Sequence, residues 1–159
     1  MKKLLIIGGA IVAAFILIVV LSNQSDKTKL KDNPYGTDKL SKPTIALIGN
    51  ENYDNIVLPD VLNEKITSGE SVTAYYFHPE CQFCMAMTPV MMPIAKEMGV
   101  DVLQYNMMEF PHPEDVISWP TLVHYKDGKE VGRIAGYDDR KPEESEKRIR
   151  EFFKVFEGK

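Results

Sequence analysis

Hydrophobic residues are concentrated at the start of the chain. Leu4 to Leu21 is an uninterrupted apolar run, preceded by Lys2 and Lys3. At about 1.5 Å per residue, a helix over this run spans ~27 Å, close to the ~30 Å hydrocarbon core of a bilayer. The pattern predicts a transmembrane helix over residues 1–21, and the two lysines favour a cytoplasmic N-terminus with the remaining chain outside the cytoplasm.

A cleaved signal peptide is the alternative interpretation of this run. The apolar region of a signal peptide usually covers about 7–15 residues and ends in a small-x-small site. The run here is longer, and Val20–Leu21–Ser22 matches such a site poorly. We therefore favour an uncleaved anchor.

Residues 22–43 are polar and show no apolar periodicity, so they predict a polar linker to a domain over residues 44–159. Residues 1–43 carry seven lysines and three aspartates, so this part is positively charged. Residues 44–159 carry 20 of the 23 acidic residues and 12 of the 19 basic residues, so the domain is acidic. An acidic domain argues against nucleic acid as a partner, and it has no electrostatic reason to lie flat on anionic lipid.

Within the domain, strand-like and helix-like patterns predict an α/β fold in the order β-α-β-α-β-(α)-β-β-α. Thr44–Ile48 is a short run of strand-forming residues. Pro59 begins a helical pattern that ends at Ser68–Gly69. The near-continuous apolar run Ser71–Phe77 suits a central strand buried on both faces.

The middle of the domain contains a long helical pattern. A helix is predicted over Gln82–Met98, kinked by Pro89 and Pro93, and a strand is predicted over Val100–Met108. A brief helical turn is predicted near Glu114–Ile117.

The domain ends with a predicted hairpin and helix. Thr121–Tyr125 and Glu130–Ile134 predict two strands around a Lys-Asp-Gly-Lys turn. Lys141–Phe156 predicts an amphipathic helix with one apolar stripe.

Cys81 and Cys84 are the only cysteines, and they lie between the central strand and the long helix. Two thiols at this spacing at a helix N-terminus indicate a redox pair, because the helix dipole favours the thiolate of the first and the second can resolve a mixed disulfide. Glu80 and His78 are expected to modulate the pKa of Cys81 in opposite directions, since a carboxylate disfavours the thiolate and an imidazolium favours it.

Two other interpretations of the cysteines are weaker. A structural disulfide between residues so close in sequence constrains little of the unfolded chain. A zinc site requires two further ligands, and the chain has only three histidines, His78, His112 and His124. We therefore expect no metal and no organic cofactor, because the cysteine pair itself carries the chemistry.

Four features in order make residues 44–159 resemble the thioredoxin-fold family. The Cys-Gln-Phe-Cys motif follows a strand, and Pro89 stands five residues after Cys84. Trp119–Pro120–Thr121 matches the cis-proline segment of the family, and Gly136 matches the glycine that closes its last strand. The resemblance implies a central mixed sheet flanked by helices, and thiol–disulfide oxidoreductase activity.

The same resemblance implies roles for individual residues. Cys81 is the attacking cysteine, Cys84 is the buried resolving cysteine, and Pro120 is the cis-proline beside the sulfurs. The backbone next to this proline is expected to pair with an extended segment of the substrate. Three residues are expected to contact the substrate: Trp119, Phe83 and Gln82.

The chain departs from the family pattern at several positions, and Gln82 and Phe83 stand between the cysteines in place of Gly-Pro. Tyr75 stands where thioredoxins carry a buried aspartate that helps to deprotonate the resolving cysteine. Gln104 replaces the usual lysine partner, and Glu80 replaces a tryptophan. These departures do not affect the predicted fold, but they argue against efficient general disulfide reduction.

With its anchor, the chain resembles the membrane-anchored extracytoplasmic thiol–disulfide oxidoreductases of Gram-positive bacteria, including thioredoxin-like accessory proteins of bacteriocin export. This resemblance implies exported proteins or peptides as substrates and a second redox protein that recycles the cysteine pair. The direction of exchange, reduction or oxidation, stays open. The alternative function is a binding module for peptide secretion whose cysteines are dispensable.

Overall fold

The apolar N-terminal run forms a single helix. A computed structural model describes residues 2–156, and helix α1 covers Lys2–Leu30. Its side chains from Ile11 to Leu21 are exposed, and Phe15 has 66% of its area exposed. By length and composition alone, α1 could cross a membrane, a test that a signal sequence also passes.

The rest of the described chain forms a helix-flanked sheet. Its elements are α2 (Lys42–Leu47), a 3-10 turn (Glu51–Tyr53), α3 (Pro59–Thr67), β1 (Val72–Phe77), α4 (Gln82–Met98), β2 (Val102–Asn106), β3 (Thr121–Lys126), β4 (Lys129–Ala135) and α5 (Pro142–Phe156). The strand order is β2-β1-β3-β4. Strand β2 is parallel to β1, whereas β3 is antiparallel to both β1 and β4. The predicted mixed sheet and the predicted hairpin are confirmed.

Strand β1 lies inside the sheet, and all of its residues are buried. Successive side chains of a strand point to opposite faces, so β1 contributes to two apolar layers. Tyr75 and Phe77 pack with residues of α4 and α5, whereas Ala74 and Tyr76 pack on the face covered by α3. The prediction of a central strand buried on both faces is confirmed.

Helix α4 has the predicted bounds, Gln82–Met98, and it is one continuous element although Pro89 and Pro93 lie within it. It ends at Gly99, whose φ of 68° is the left-handed conformation that glycine adopts without a steric penalty. The helix therefore leads from the cysteine motif to the turn before β2.

The segment Thr44–Ile48 is not a strand, so this prediction is wrong. Residues Lys42–Leu47 form α2, because the Ser41 side chain accepts a hydrogen bond from the Thr44 N–H and a proline lies in the first turn. The capping signal outweighed the strand preference of a short run. The described sheet consequently has four strands and lacks the first strand of the predicted order.

The predicted helical turn near Glu114–Ile117 is not assigned as helix. This segment contains a single turn, in which the Val116 N–H donates to the Pro113 carbonyl at 3.2 Å, and the chain does not continue as a helix. The turn delivers Val116 to the apolar layer beside α3.

The segment 22–43, predicted as a polar linker, is partly helical and contacts the domain. Helix α1 continues to Leu30, and Lys29 Nζ donates to two backbone carbonyls of α2 at 3.3 and 3.2 Å. Tyr35 is buried, and its hydroxyl accepts a hydrogen bond from Asn106 Nδ2 at 2.9 Å. Residues 29–47, which make these contacts, are called the stalk below.

A carboxylate of the domain holds the stalk. Glu109 Oε1 accepts hydrogen bonds from the Ser41 N–H (3.0 Å), the Ser41 hydroxyl (2.6 Å) and the Thr44 hydroxyl (2.6 Å). Burial is the largest single effect and raises the pKa of Glu109, but the three hydrogen bonds together outweigh it and leave the pKa lowered. A carboxyl with a lower pKa in the folded state stabilises the fold at neutral pH, and this contribution is lost as the pH falls through the lowered value.

Replacing Glu109 should therefore weaken the attachment of the stalk. We expect Glu109→Ala to lower the free energy of unfolding by about 1–3 kcal/mol at neutral pH, because the Ser41 and Thr44 donors lose their charged acceptor. Urea unfolding of the full chain in detergent, followed by tryptophan fluorescence, measures this change. The exposed Glu114 provides the matched control, Glu114→Ala; equal unfolding midpoints for the two variants would contradict the role of Glu109.

Candidate functional site

The cysteine motif lies where β1 meets α4. After β1, a turn closes through a hydrogen bond from the Cys81 N–H to the His78 carbonyl at 3.0 Å. Cys81 is the N-cap residue of α4, and its Sγ accepts a hydrogen bond from the Cys84 N–H at 3.2 Å. A helix N-terminus presents unpaired N–H groups, and the Cys81 sulfur accepts one of them.

The two cysteines differ in their access to solvent. Both are free thiols; Cys81 is partly exposed, whereas Cys84 is fully buried in the first turn of α4. Burial is the main cause that raises the pKa of the Cys84 thiol far above its usual value, and a hydrogen bond with Cys81 raises it further. The pair therefore combines one accessible sulfur with one that is protonated and shielded.

The segment before β3 completes the site. The Trp119–Pro120 peptide bond is cis, and Pro120 is buried. The Cys81 thiol lies 3.7 Å from the Trp119 carbonyl oxygen, to which it donates a weak hydrogen bond. The Pro120 carbonyl accepts from the Gly136 N–H at 2.8 Å, so the end of β4 supports this segment. The structure thus brings Cys81, Trp119, Pro120 and Gly136 together, as the resemblance implies.

Two histidines flank the indole of Trp119. The His78 ring is stacked on it with a centroid distance of 5.4 Å, and the His112 ring meets it edge-on at 5.5 Å. His78 Nδ1 also accepts the Glu80 N–H at 3.2 Å, while Glu80 itself is exposed. The imidazole of His78 is consequently packed in the turn before Cys81, and the contact with His112 was not predicted from the sequence.

The residues between the cysteines face solvent. Gln82 is exposed, and Phe83 exposes 46% of its area. Both border an open depression of about 580 Å³ whose other side is formed by the loop from β4 to α5, including Tyr137, and by Arg148 of α5. An extended chain that lies along this depression would pass directly over the start of α4.

A group of hydroxyls lies beneath Cys84. Thr88, fully buried, donates its hydroxyl to the Cys84 carbonyl at 2.8 Å, and its Oγ1 lies 3.1 Å from the Tyr75 hydroxyl. Tyr53 is buried nearby, and its hydroxyl donates to the Met85 sulfur at 3.4 Å. Tyr75 was noted from the sequence, whereas Thr88 and Tyr53 were not. The spacing of Thr88 four residues after Cys84 was the available signal, because a threonine in a helix can bond to the carbonyl four residues before it.

Gln104, another departure from the family pattern, makes its hydrogen bonds to residues outside this group of hydroxyls. It is fully buried on β2, donates to the Asn52 carbonyl at 2.7 Å and accepts from the Asn55 N–H at 3.3 Å. Gln104 therefore ties the loop before α3 to the sheet edge.

Within residues 2–156, no cluster of three or more His, Cys, Asp or Glu side chains is arranged to hold a metal ion.

Comparison with known proteins finds thioredoxins that are similar to the chain. No family model matches the chain. A thioredoxin of Chlamydia muridarum is 37% identical over 89 residues, which cover 54% of this chain and 86% of that protein. A thioredoxin of Chlamydia pneumoniae is 29% identical over 100 residues, covering 60% of this chain and 88% of that protein.

The fold is also found among solved structures. A mutant thioredoxin from Halobacterium salinarum NRC-1 superposes with a TM-score of 0.50 at 19% identity, covering 65% of this chain and 89% of the other. That likeness concerns the fold alone. The identity to the Chlamydia muridarum protein over most of its length goes further, and it establishes that the chain belongs to the thioredoxin family of thiol–disulfide oxidoreductases.

Proposed function

We propose that the protein is a membrane-tethered thiol–disulfide oxidoreductase that exchanges disulfides with exported proteins or peptides outside the cytoplasm. The observation that carries this proposal is the unequal pair of sulfurs on a domain that follows an exposed apolar helix. Cys81 is accessible at the start of α4, and Cys84 is fully buried behind it. This arrangement supports a division of the reaction into an attacking and a resolving step.

In the reducing direction, the Cys81 thiolate attacks a substrate disulfide. A Cys81–substrate disulfide forms, the substrate disulfide breaks, and one substrate sulfur leaves with the electron pair and takes up a proton. The Cys84 sulfur then attacks Cys81, the Cys81–Cys84 disulfide forms, and the second substrate sulfur leaves as a thiol. In the oxidising direction the same steps run in reverse.

The surroundings of Cys81 support contact with an extended substrate. The backbone of Trp119 lies beside the sulfur, and the buried Pro120 cannot donate a hydrogen bond there. A substrate strand can therefore pair with the backbone of Trp119, next to the proline, while its side chains contact Phe83 and Gln82. The exposed phenyl ring favours an apolar residue next to the substrate cysteine.

The position of the protein in the cell is inferred from α1. Its exposed apolar side chains favour a non-aqueous environment, and the flanking Lys2 and Lys3 favour the cytoplasmic side. The resulting topology resembles that of anchored Gram-positive oxidoreductases. The exchange needs no metal or organic cofactor, but it needs a second dithiol or disulfide protein that recycles the pair.

The unequal burial predicts unequal reactivity of the two thiols. Iodoacetamide should modify Cys81 in the folded chain and Cys84 at least about tenfold more slowly, because burial blocks access and raises the pKa of Cys84, and each unit of increase lowers the thiolate population tenfold. Mass spectrometry of the reduced protein in detergent measures both rates. Cys81→Ser should remain largely unlabelled until it is unfolded, and equal rates at both sites would contradict the assigned roles.

The division of roles predicts which variant traps a substrate. Cys84→Ser should accumulate mixed disulfides with exported proteins, since the resolving sulfur is absent, whereas the matched variant Cys81→Ser should form none. Non-reducing electrophoresis of cell extracts after acid quenching detects these adducts. If the double variant Cys81→Ser/Cys84→Ser keeps full biological activity, the accessory binding module for peptide secretion is the correct function instead.

The topology predicts labelling from outside the cell. In intact cells whose mixed disulfides are first reduced with a membrane-impermeant reductant, a membrane-impermeant maleimide should label Cys81 of the Cys84→Ser variant, with cytoplasmic thiols unlabelled until lysis. Labelling that appears only after lysis would place the domain in the cytoplasm. A shortened, released product would instead indicate that the apolar run is a cleaved signal peptide.

A further inference from the structure

Trp119, whose backbone would pair with a substrate strand, has little backbone support of its own. It lies just before β3, and within residues 2–156 its N–H has no hydrogen-bond partner. Its carbonyl oxygen accepts only the weak bond from the Cys81 thiol at 3.7 Å. Both backbone groups are therefore available to a substrate, but the position of this residue depends mainly on the contacts of its side chain.

The indole of Trp119 is held by two histidines that come from different segments. His78, directly after β1, is stacked on the indole at a centroid distance of 5.4 Å, and its Nδ1 accepts the Glu80 N–H. His112, in the loop between β2 and β3, meets the indole edge-on at 5.5 Å. Both distances are within the range in which aromatic rings attract one another. The side chains of His78, Trp119 and His112 are called the aromatic clamp below.

His112 is itself attached to the end of β1. Its Nε2 lies 2.7 Å from the Met107 carbonyl oxygen, and because a carbonyl oxygen only accepts, this nitrogen carries the hydrogen. Met107 is buried, and its N–H donates to the carbonyl of Phe77, the last residue of β1, at 2.7 Å. His112 is thus an exposed loop residue whose ring is fixed at one nitrogen.

The two histidines hold the indole relative to the same point of the sheet. His78 follows Phe77 in the chain, and His112 is connected to Phe77 through Met107. From this point the chain also turns to Cys81, through the bond from the Cys81 N–H to the His78 carbonyl. The aromatic clamp therefore links the position of Trp119 to that of the reactive sulfur.

We propose that His112 is a positioning residue that, together with His78, holds Trp119 where a substrate strand can pair with its backbone beside Cys81. The proposal rests on the proposed function, because it assumes that extended substrates pair with Trp119. His112 takes no part in the exchange of sulfur bonds. Its removal should therefore weaken the binding of extended substrates and leave the attack of Cys81 on a small disulfide unchanged.

Two chromogenic substrates with the same leaving group separate these effects. In one, thionitrobenzoate is joined by a disulfide to free cysteine; in the other, it is joined to the single cysteine of an extended peptide with apolar neighbours. In both, the Cys81 thiolate attacks the cysteine sulfur, a Cys81–cysteine disulfide forms, and thionitrobenzoate leaves with the electron pair. Cys84 then displaces the cysteine or the peptide as a thiol.

Colour release by the reduced full-length chain in detergent gives an apparent KM and a maximal rate for each substrate. We expect His112→Ala to raise the apparent KM for the peptide about 3- to 10-fold, the range that corresponds to the loss of an aromatic contact. The maximal rate with the peptide, and both values for the cysteine substrate, should stay unchanged.

Trp119 provides a spectroscopic signature because it is the only tryptophan. The anisotropy of its fluorescence should fall in His112→Ala, since an indole held on one side only moves more freely. The matched control is Glu114→Ala, which shortens an exposed side chain of the same loop and should keep both the apparent KM for the peptide and the anisotropy.

Three results with His112→Ala would overturn the proposal. They are an unchanged apparent KM for the peptide, an unchanged anisotropy, and equal losses with both substrates, which would mark a general disturbance of the site. If the unmodified protein released no thionitrobenzoate from either substrate, the proposed reaction of Cys81 would be refuted instead. The failure of the positioning role and that of the proposed function are therefore distinguishable.

Discussion

The hydrogen bond from the Cys84 N–H to the Cys81 sulfur is the interaction on which the site depends. It makes a cysteine the cap of α4, so the beginning of the helix and the reactive atom are the same place. This is possible because β1 is buried on both sides and ends at a fixed point of the sheet, from which a short turn leads to Cys81. The same edge carries the Trp119–Pro120 segment. The reactive sulfur is therefore positioned by the backbone rather than by mobile side chains.

The interior below the sulfurs is built without charge. A buried carboxylate in this place would carry a large desolvation cost in the fold, whereas hydroxyls that bond to one another are accommodated at a much smaller cost. In the described part of the chain, each buried side-chain nitrogen or oxygen has a hydrogen-bond partner. Tyr75 and Thr88 thus give a polar environment to Cys84 within an otherwise apolar layer of α4 and α5.

Elements defined by local pattern were predicted well, and contacts between distant segments were not. The apolar run of β1, the bounds of α4 and the hairpin all follow from periodicity and turn residues. Thr44–Ile48 was assigned to a strand because a short run carries little periodic information, and the cap at Ser41 decided the outcome. The hydrogen bonds of Glu109 to Ser41 and Thr44 join residues far apart in sequence, so no local pattern predicts them. The bond from Thr88 to the Cys84 carbonyl has a helical spacing, but only the fold shows that it lies beside the buried cysteine.

The docking of the stalk has a consequence for how clients are reached. A flexible linker would let the domain sweep a wide volume, but Tyr35 and Ser41 fasten the chain to the domain soon after α1 ends, through Asn106 and Glu109. In a tethered protein, Cys81 would then sit at a nearly constant height above the bilayer and turn with its helix. With the proposed tethering, the length of α1 would set the distance from the bilayer at which Cys81 meets a substrate.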